Sequence, residues 1–303
     1  MTPTPLPWRH FALAFGVVAI WGTNFAIIKT GLLHLPPLLF ATLRFTLACL
    51  PGIFFLRRPN VPWRYLAAYG VLIGAGQFGL MYIALTHFIS PGLASLVVQT
   101  QVFFTIGLSM WLKGERIQAY QICALVLATA GLAVIVMRAD ARTTTLGLGL
   151  VLVAGLAWSG GNLVARASPG VNMLAYVIWA SVFSVPPLLA LSLCFEGWPA
   201  IVRGIRESEI TTWMAVVWQS VGNTLFGYAA WGWLLARHPA ATIMPIALLV
   251  PVFGMGASAW WLGESLPGWK ILAAALIVGG LAVNLLWPLT HDWRRQWARP
   301  ETP

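Results

Sequence analysis

The chain has 303 residues, of which 59% are hydrophobic and 9% charged, with a mean hydropathy of +0.80. A water-soluble surface carries about a quarter charged residues, so composition excludes a soluble enzyme or binding module. The net charge of +10 is scattered through short loops with no stripe or binding motif, which excludes nucleic acid and suits cations that orient a chain against an anionic membrane face.

Arg9 and His10 precede an apolar run too long for a cleaved leader, and more membrane follows, so the first run is an uncleaved span. One crossing needs about 20 apolar residues. Punctuated by Pro, Gly and charge clusters, spans are predicted near 11–31, 37–56, 66–86, 92–112, 119–137, 146–165, 172–194, 212–235, 241–262 and 269–288. They are helices, because lipid leaves no other partner for the backbone, and none alternates as a barrel strand does. The expected fold is an all-α integral membrane protein of ten transmembrane helices. All eight acids (Glu115, Asp140, Glu196, Glu207, Glu209, Glu264, Asp292, Glu301) fall at or near span ends. Interior chemistry is left to amides, hydroxyls, indoles and isolated cations.

Eleven Lys and Arg lie on the N-terminal side of this layout and six on the other. That bias puts both termini in the cytoplasm of a bacterial inner membrane. Cys49, Cys123 and Cys194 sit inside apolar runs and are expected to be buried spectators.

The two halves resemble each other. Trp111-Leu112-Lys113-Gly114-Glu115 closes the fourth span, and Trp261-Leu262-Gly263-Glu264 closes the ninth. Gly131-Leu132-Ala133-Val134 recurs as Gly280-Leu281-Ala282-Val283, at the same offset of 149. Trp21 and Lys29 match Trp158 and Arg166 at 137, and Pro51 matches Pro186 at 135, which sets Arg44 opposite Trp179. Each half then holds five spans. Five is odd, so the second half, 142–303, enters the membrane inverted relative to the first, 1–141. Inverted-topology repeats let two halves open alternately to either side of a midplane site.

Trp21-Gly22-Thr23-Asn24-Phe25 with Lys29, Leu43-Arg44-Phe45, Pro91-Gly92-Leu93-Ala94-Ser95-Leu96 and the Gly-Glu-Arg at 114–116 carry a further likeness, as do Trp158, Tyr228 through Gly232 and Leu249-Val250-Pro251. With these motifs the chain resembles the EamA-type branch of the drug/metabolite transporter superfamily over all ten spans. Within that branch it is most similar to exporters of cysteine and O-acetylserine. The resemblance implies a central cavity formed mainly by spans 1, 3, 4, 6, 8 and 9, and efflux of amino acids or related metabolites.

Polar groups inside a membrane face a cavity or a partner helix. Taken along the chain, the substrate-binding candidates are Trp21, Asn24, Gln77, Tyr82, Gln99, Gln101, Trp158, Asn162, Asn223, Tyr228 and Trp231. Amides donate and accept, which suits a zwitterion; they also glue helices together. Gln99 and Gln101 are two apart and cannot face one way on a straight helix. Trp21 and Trp158 lie mid-span, too deep for an interfacial belt, and line either a cavity or a helix seam. Pro245 and Pro251 invite a kink in the ninth span. Lys29, Arg44 and Arg166 are the gate or charge candidates. Arg44, on a helix expected to be peripheral, either snorkels to the interface, sits on helix-end carbonyls, or awaits a substrate carboxylate.

The function expected is export of small zwitterionic metabolites by alternating access, with another metabolite class or a non-transporting scaffold or receptor as rivals. No carboxylate or histidine lies deep in a span: His10, His34, His87, His238 and His291 are at span ends, with His87 the one exception to consider. Transport is therefore expected to run down the substrate's own gradient, or with a coupling too weak to show in the sequence. Ser159-Gly160-Gly161 lacks a histidine base at depth, and no His/Glu pair suits a metal. No enzyme activity, cofactor or metal is expected. The partners are the substrate and membrane lipid, and a monomer suffices.

Overall fold

The computed structural model describes residues 6–113, 117–138, 143–168 and 170–297. The Gly-Glu-Arg motif at 114–116, with Asp140, Arg142, Arg299 and Glu301, lies outside the described residues, as do the side chains of His291, Asp292, Trp293, Arg294, Arg295 and Trp297.

Every predicted span coincides with a helix. They are α1 (Trp8–Gly31), α2 (Pro37–Phe55), α3 (Trp63–His87), α4 (Pro91–Leu112), α5 (Ala119–Met137), α6 (Thr145–Arg166) and α7 (Met173–Glu196). Then follow α8, whose segments Ile210–Val217, Trp218–Phe226 and Gly227–Arg237 run on without a break, α9 (Met244–Leu262) and α10 (Gly268–Trp297). Among the described residues nine of these, all but α8, are long and apolar enough to cross a membrane. α8 has the length, but Gln219, Ser220, Asn223 and Thr224 make its middle polar. Between α7 and α8, where a loop is expected, lies a short helix, Trp198–Glu207. It turns Ile201 inward and sets Gly204 against Pro36 and the His34 carbonyl, with Arg203 and Arg206 outward. Cys49 is buried as expected; Cys123 and Cys194 are not, and lie on the outer face.

Local chemistry explains the ends. Pro37 and Pro91 open α2 and α4, where a missing N–H costs nothing. Thr144 and Asn172 cap α6 and α7 through their side-chain oxygens. Gly263, with φ +65°, closes α9 in the left-handed conformation that a Cβ disfavours.

Three helices depart from α geometry in mid-span, and α9 does so at its start. α3 widens into a π segment at Leu72–Gly79, and α8 does so at Trp218–Phe226. α4 tightens into a 3₁₀ turn at Val98–Thr100, and α9 at Met244–Leu249, which contains Pro245. Sequence counterparts thus share the same kind of interruption.

α5 packs on α10, α2 on α7, α1 on α9 and α4 on α6; α3 lies against α6 and α7, and α8 against α1 and α2. In the α5–α10 seam, a Cβ on Gly131 would meet Ile277 and the Ala273 carbonyl, and one on Gly280 would meet the Ala124 carbonyl and the Ala128 nitrogen. Ala124 and Ala273, Ala128 and Ile277, and Gly131 and Gly280 are each 149 residues apart. The same contact is made twice, once from each side.

Candidate functional site

α1, α2, α3 and α8 meet around one buried polar network. The Gln219 amide nitrogen donates to Asn24 Oδ1, and the Tyr82 hydroxyl donates to Gln219 Oε1 at 3.0 Å. Arg44 donates from Nη1 to the Tyr82 oxygen at 3.2 Å and from Nη2 to Thr224 Oγ1 at 2.7 Å. Thr224 donates in turn to the Gln219 carbonyl five residues back, a spacing that the π segment creates. Ser220 donates to the Arg44 carbonyl at 2.9 Å. The guanidinium lies 3.8 Å over the Phe78 ring and 4.8 Å from Phe45. All six polar residues of the network are buried.

Two expectations for Arg44 are corrected here. It neither snorkels nor sits on helix-end carbonyls: it is 1% exposed and held by side chains. Its helix is not peripheral, since α2 is packed between α7 and α8. Gln219, Ser220 and Thr224 were missed by the sequence argument. A signal existed, because positions 219, 220, 223 and 224 share one helical face.

Beside the network, the Trp21 indole donates to the Asn223 carbonyl at 3.2 Å. Its ring lies 5.2 Å from Trp231 and 6.0 Å from Tyr228. A Cβ on Gly227 would stand 2.5 Å from the indole nitrogen, so glycine makes room for it. Gln77 and Asn223 occupy equivalent places in the two π segments: Gly76, Gln77 and Tyr82 recur 146 residues on as Gly222, Asn223 and Tyr228. Both amides are buried, and Gln77 Oε1 has no partner.

On the α4–α6 side, Ser159 donates to the Gln101 carbonyl at 2.7 Å and Gln101 lies beside Gly155. Gln99 is buried and Gln101 half-buried, and Trp158 packs against the main core. Asn162 is half-buried on the same helix, and no hydrogen bond among the described residues links it to the other candidates. Trp21, Asn24, Tyr82, Asn223, Tyr228 and Trp231 are therefore gathered around α8, while Trp158 and Asn162 lie on α6 with Gln101 of α4 packed beside that helix.

The cations at the ends serve differently. Lys29 donates to the Leu85 carbonyl at 2.9 Å and to that of Thr86, capping the last turn of α3. Arg166 and His87 are exposed. Two acids are spent on helix N-termini: Glu196 accepts from the Leu38 and Leu39 nitrogens, and Glu264 from Gly92 while pairing with Lys270 at 2.8 Å. Two surface grooves, of about 590 Å³ along Thr145–Val153 and about 490 Å³ between Trp218, Phe253 and Trp260, are apolar and contain no candidate residue.

The sequence profile described as the EamA-like transporter family matches the chain twice, over residues 9–137 and 145–286. A Salmonella typhimurium protein named "Probable amino-acid metabolite efflux pump" is 38% identical, over 90% of this chain and 93% of its own length. The Escherichia coli protein of the same name is 36% identical over the same shares. A "Probable terminal-alkyne amino-acid exporter" of Streptantibioticus cattleyicolor is 27% identical over 96% of this chain and 97% of its own. One solved crystal structure, 20% identical, superposes with a TM-score of 0.59 over 92% of this chain and 98% of that one, and so shares the fold. With the profile and the nearer relatives both spanning most of its length, the chain belongs to the EamA-like transporter family and is a multi-pass membrane transporter, not an enzyme.

Proposed function

We propose that this protein exports small amino-acid-like zwitterions, of the cysteine and O-acetylserine kind, across a bacterial inner membrane by alternating access. The reading takes α8 as a true span, giving ten helices with both termini cytoplasmic, and treats 1–141 and 142–303 as inverted five-helix repeats. The double profile match, the paired π and 3₁₀ interruptions and the reciprocal α5–α10 contacts all support it.

One observation carries the substrate site: Gln77 and Asn223, buried at equivalent points of the two π segments, hold side-chain amides that no hydrogen bond among the described residues occupies. Irregular backbone in transporters borders the substrate path, and free amides can serve both a carboxylate and an ammonium. Trp21, Tyr228 and Trp231 supply aromatic faces for the ammonium end. Gln99, Gln101, Trp158 and Asn162 line the opposite wall in this proposal. The relatives named as amino-acid efflux pumps and exporter speak for the same cargo.

The test is counterflow in proteoliposomes across a panel of amino acids and O-acetylserine. Saturable exchange is expected for small zwitterions, and Gln77→Leu or Asn223→Leu is expected to lower it by about tenfold, the loss of one hydrogen bond in the transport site. Saturable binding with no exchange would overturn export in favour of a receptor. Tags that map the two termini to opposite faces would overturn the ten-span count.

A further inference from the structure

Arg44 is a full charge in the middle of a membrane helix, and no ion pair among the described residues compensates it. A buried charge left without a counter-ion is strongly destabilising, and such residues in membrane proteins serve a function by default. The acids Glu196 and Glu264 are engaged at helix N-termini. Arg44 makes do with neutral company: two hydroxyl oxygens, two aromatic rings and a completely buried Nε that has no partner. The site therefore lacks two things at once, one acceptor oxygen along the Nε edge and one negative charge.

A carboxylate supplies both. The planar guanidinium binds it through two parallel N–H donors, and the charge-assisted pair is stronger than the bonds to neutral hydroxyls that Arg44 now makes. Lipid phosphate, confined to the interface, does not reach this depth. Tyr82 and Thr224 each keep donating to Gln219, at 3.0 Å and 2.9 Å, so neither hydroxyl is orphaned when the guanidinium turns to a ligand. The network can release Arg44 without breaking itself.

We infer that Arg44 is the carboxylate-recognition residue of this transporter, selecting substrates with a free carboxylate over their amides and esters. This rests on the export reading above. In the structure seen here Tyr82 and Thr224 hold the guanidinium in its unloaded position; substrate draws it off them, and Asn24–Gln219–Tyr82 stays in place as the supporting frame.

Two measurements on the purified full chain test this. In detergent, thermal unfolding is followed with added acetate, acetamide or chloride. Acetate is expected to raise the midpoint of the wild type, with acetamide and chloride without effect, and Arg44→Gln is expected to abolish the response while Arg44→Lys keeps part of it. In proteoliposomes, wild type is expected to prefer alanine over alaninamide by about tenfold or more, the discrimination one charge-assisted contact provides, and Arg44→Gln to bring the ratio near one. An acetate response that persists in Arg44→Gln, or one that chloride matches, sinks the inference. So does exchange whose alanine preference survives Arg44→Gln. If Arg44 governs the acetate response but no amino acid exchanges, the export reading fails and the carboxylate site stands. Should Arg44→Gln not fold, Tyr82→Phe and Thr224→Val decide: each removes a competing acceptor and is expected to strengthen the acetate response, and no change in either overturns the assignment.

Discussion

The wedge between α1, α2 and α8 and the corresponding wedge between α6, α7 and α3 share a backbone plan and differ in chemistry. In the first, Gln219 donates to Asn24. Counterparts 146 residues before Gln219 and 137 after Asn24 are Ile73 and Gly161, and these also touch: a Cβ on Gly161 would stand 2.6 Å from Ile73 Cδ1. Ser220 and Thr224 correspond to Gly74 and Phe78, and Arg44 to Trp179, whose indole reaches the Leu56 carbonyl. A hydrogen-bonded contact on one side is an apolar contact on the other. A duplicated backbone therefore does not carry a duplicated site. The polar wedge is held by side-chain hydrogen bonds that share Gln219, whereas the apolar wedge combines packing with bonds from Ser184 to the Gly70 carbonyl and from Tyr176 to the Tyr65 carbonyl.

The largest effect expected from breaking this contrast is that of Gln219→Leu. It strips Asn24 of its donor and Tyr82 of its acceptor, both buried, at about 1–3 kcal/mol for each orphaned group. The unfolding midpoint in detergent is expected to fall accordingly, and counterflow with it. Adding Asn24→Leu removes one of the orphans and is expected to recover part of the stability without restoring exchange. A double variant no more stable than the single one would mean that the two side chains are not coupled.

The seams that flank the two wedges differ in tightness. A Cβ on Gly22 would lie 2.4 Å from Phe253 Cβ and 2.6 Å from the Val250 carbonyl, so α1 and α9 touch backbone to backbone. On the α6–α4 side, a Cβ on Gly155 finds nothing nearer than Gln101 Cβ at 3.6 Å, an ordinary contact. Gly22→Ala is expected to cost about 2 kcal/mol, because rigid backbone must shift. Gly155→Ala is expected to leave stability unchanged or slightly raised, since alanine suits a helix better than glycine. Equal losses would remove the asymmetry between the seams.

Helix positions were legible because the bilayer reduces them to length and apolarity; the predicted ends fall within a few residues of those observed, except that α10 runs on nine residues past 288 to Trp297. The 146–165 and 241–262 runs are as plain in the sequence as in the fold. The helix Trp198–Glu207 was not, since ten residues with Arg203, Arg206 and Glu207 read as a charged loop until Ile201 is seen buried and Gly204 packed on the α1–α2 connection. The π segments had no single-residue signature: Leu72–Gly79 and Trp218–Phe226 contain no proline, and their widening is set by tertiary packing. Gln77, Asn223, Tyr82 and Asn24 were found as polar groups in apolar runs. The link between Tyr82 and Asn24 through Gln219 was not, because hydrogen-bond partners 137 and 195 residues apart depend on how the helices pack. Arg44 was misjudged for that reason: its matched position, Trp179, suggested a rim, and only the packing of α2 against α8 brings Thr224 to it.

The smallest expected effect tests the apolar wedge. In Gly161→Ala the new methyl meets the end of the Ile73 side chain, not its backbone. A terminal methyl can rotate away at about 1 kcal/mol or less, the cost of an off-rotamer torsion. Ile73→Val removes the clashing carbon, so the Gly161→Ala/Ile73→Val pair is expected to unfold close to the wild-type midpoint. Exchange of amino acids is expected to stay near wild type in both, because no polar group that could meet substrate has changed. A loss of flux comparable with that of Gln219→Leu would mean that the apolar wedge takes part in handling the substrate after all. The functional asymmetry would then be false even though the chemical one is visible in the side chains.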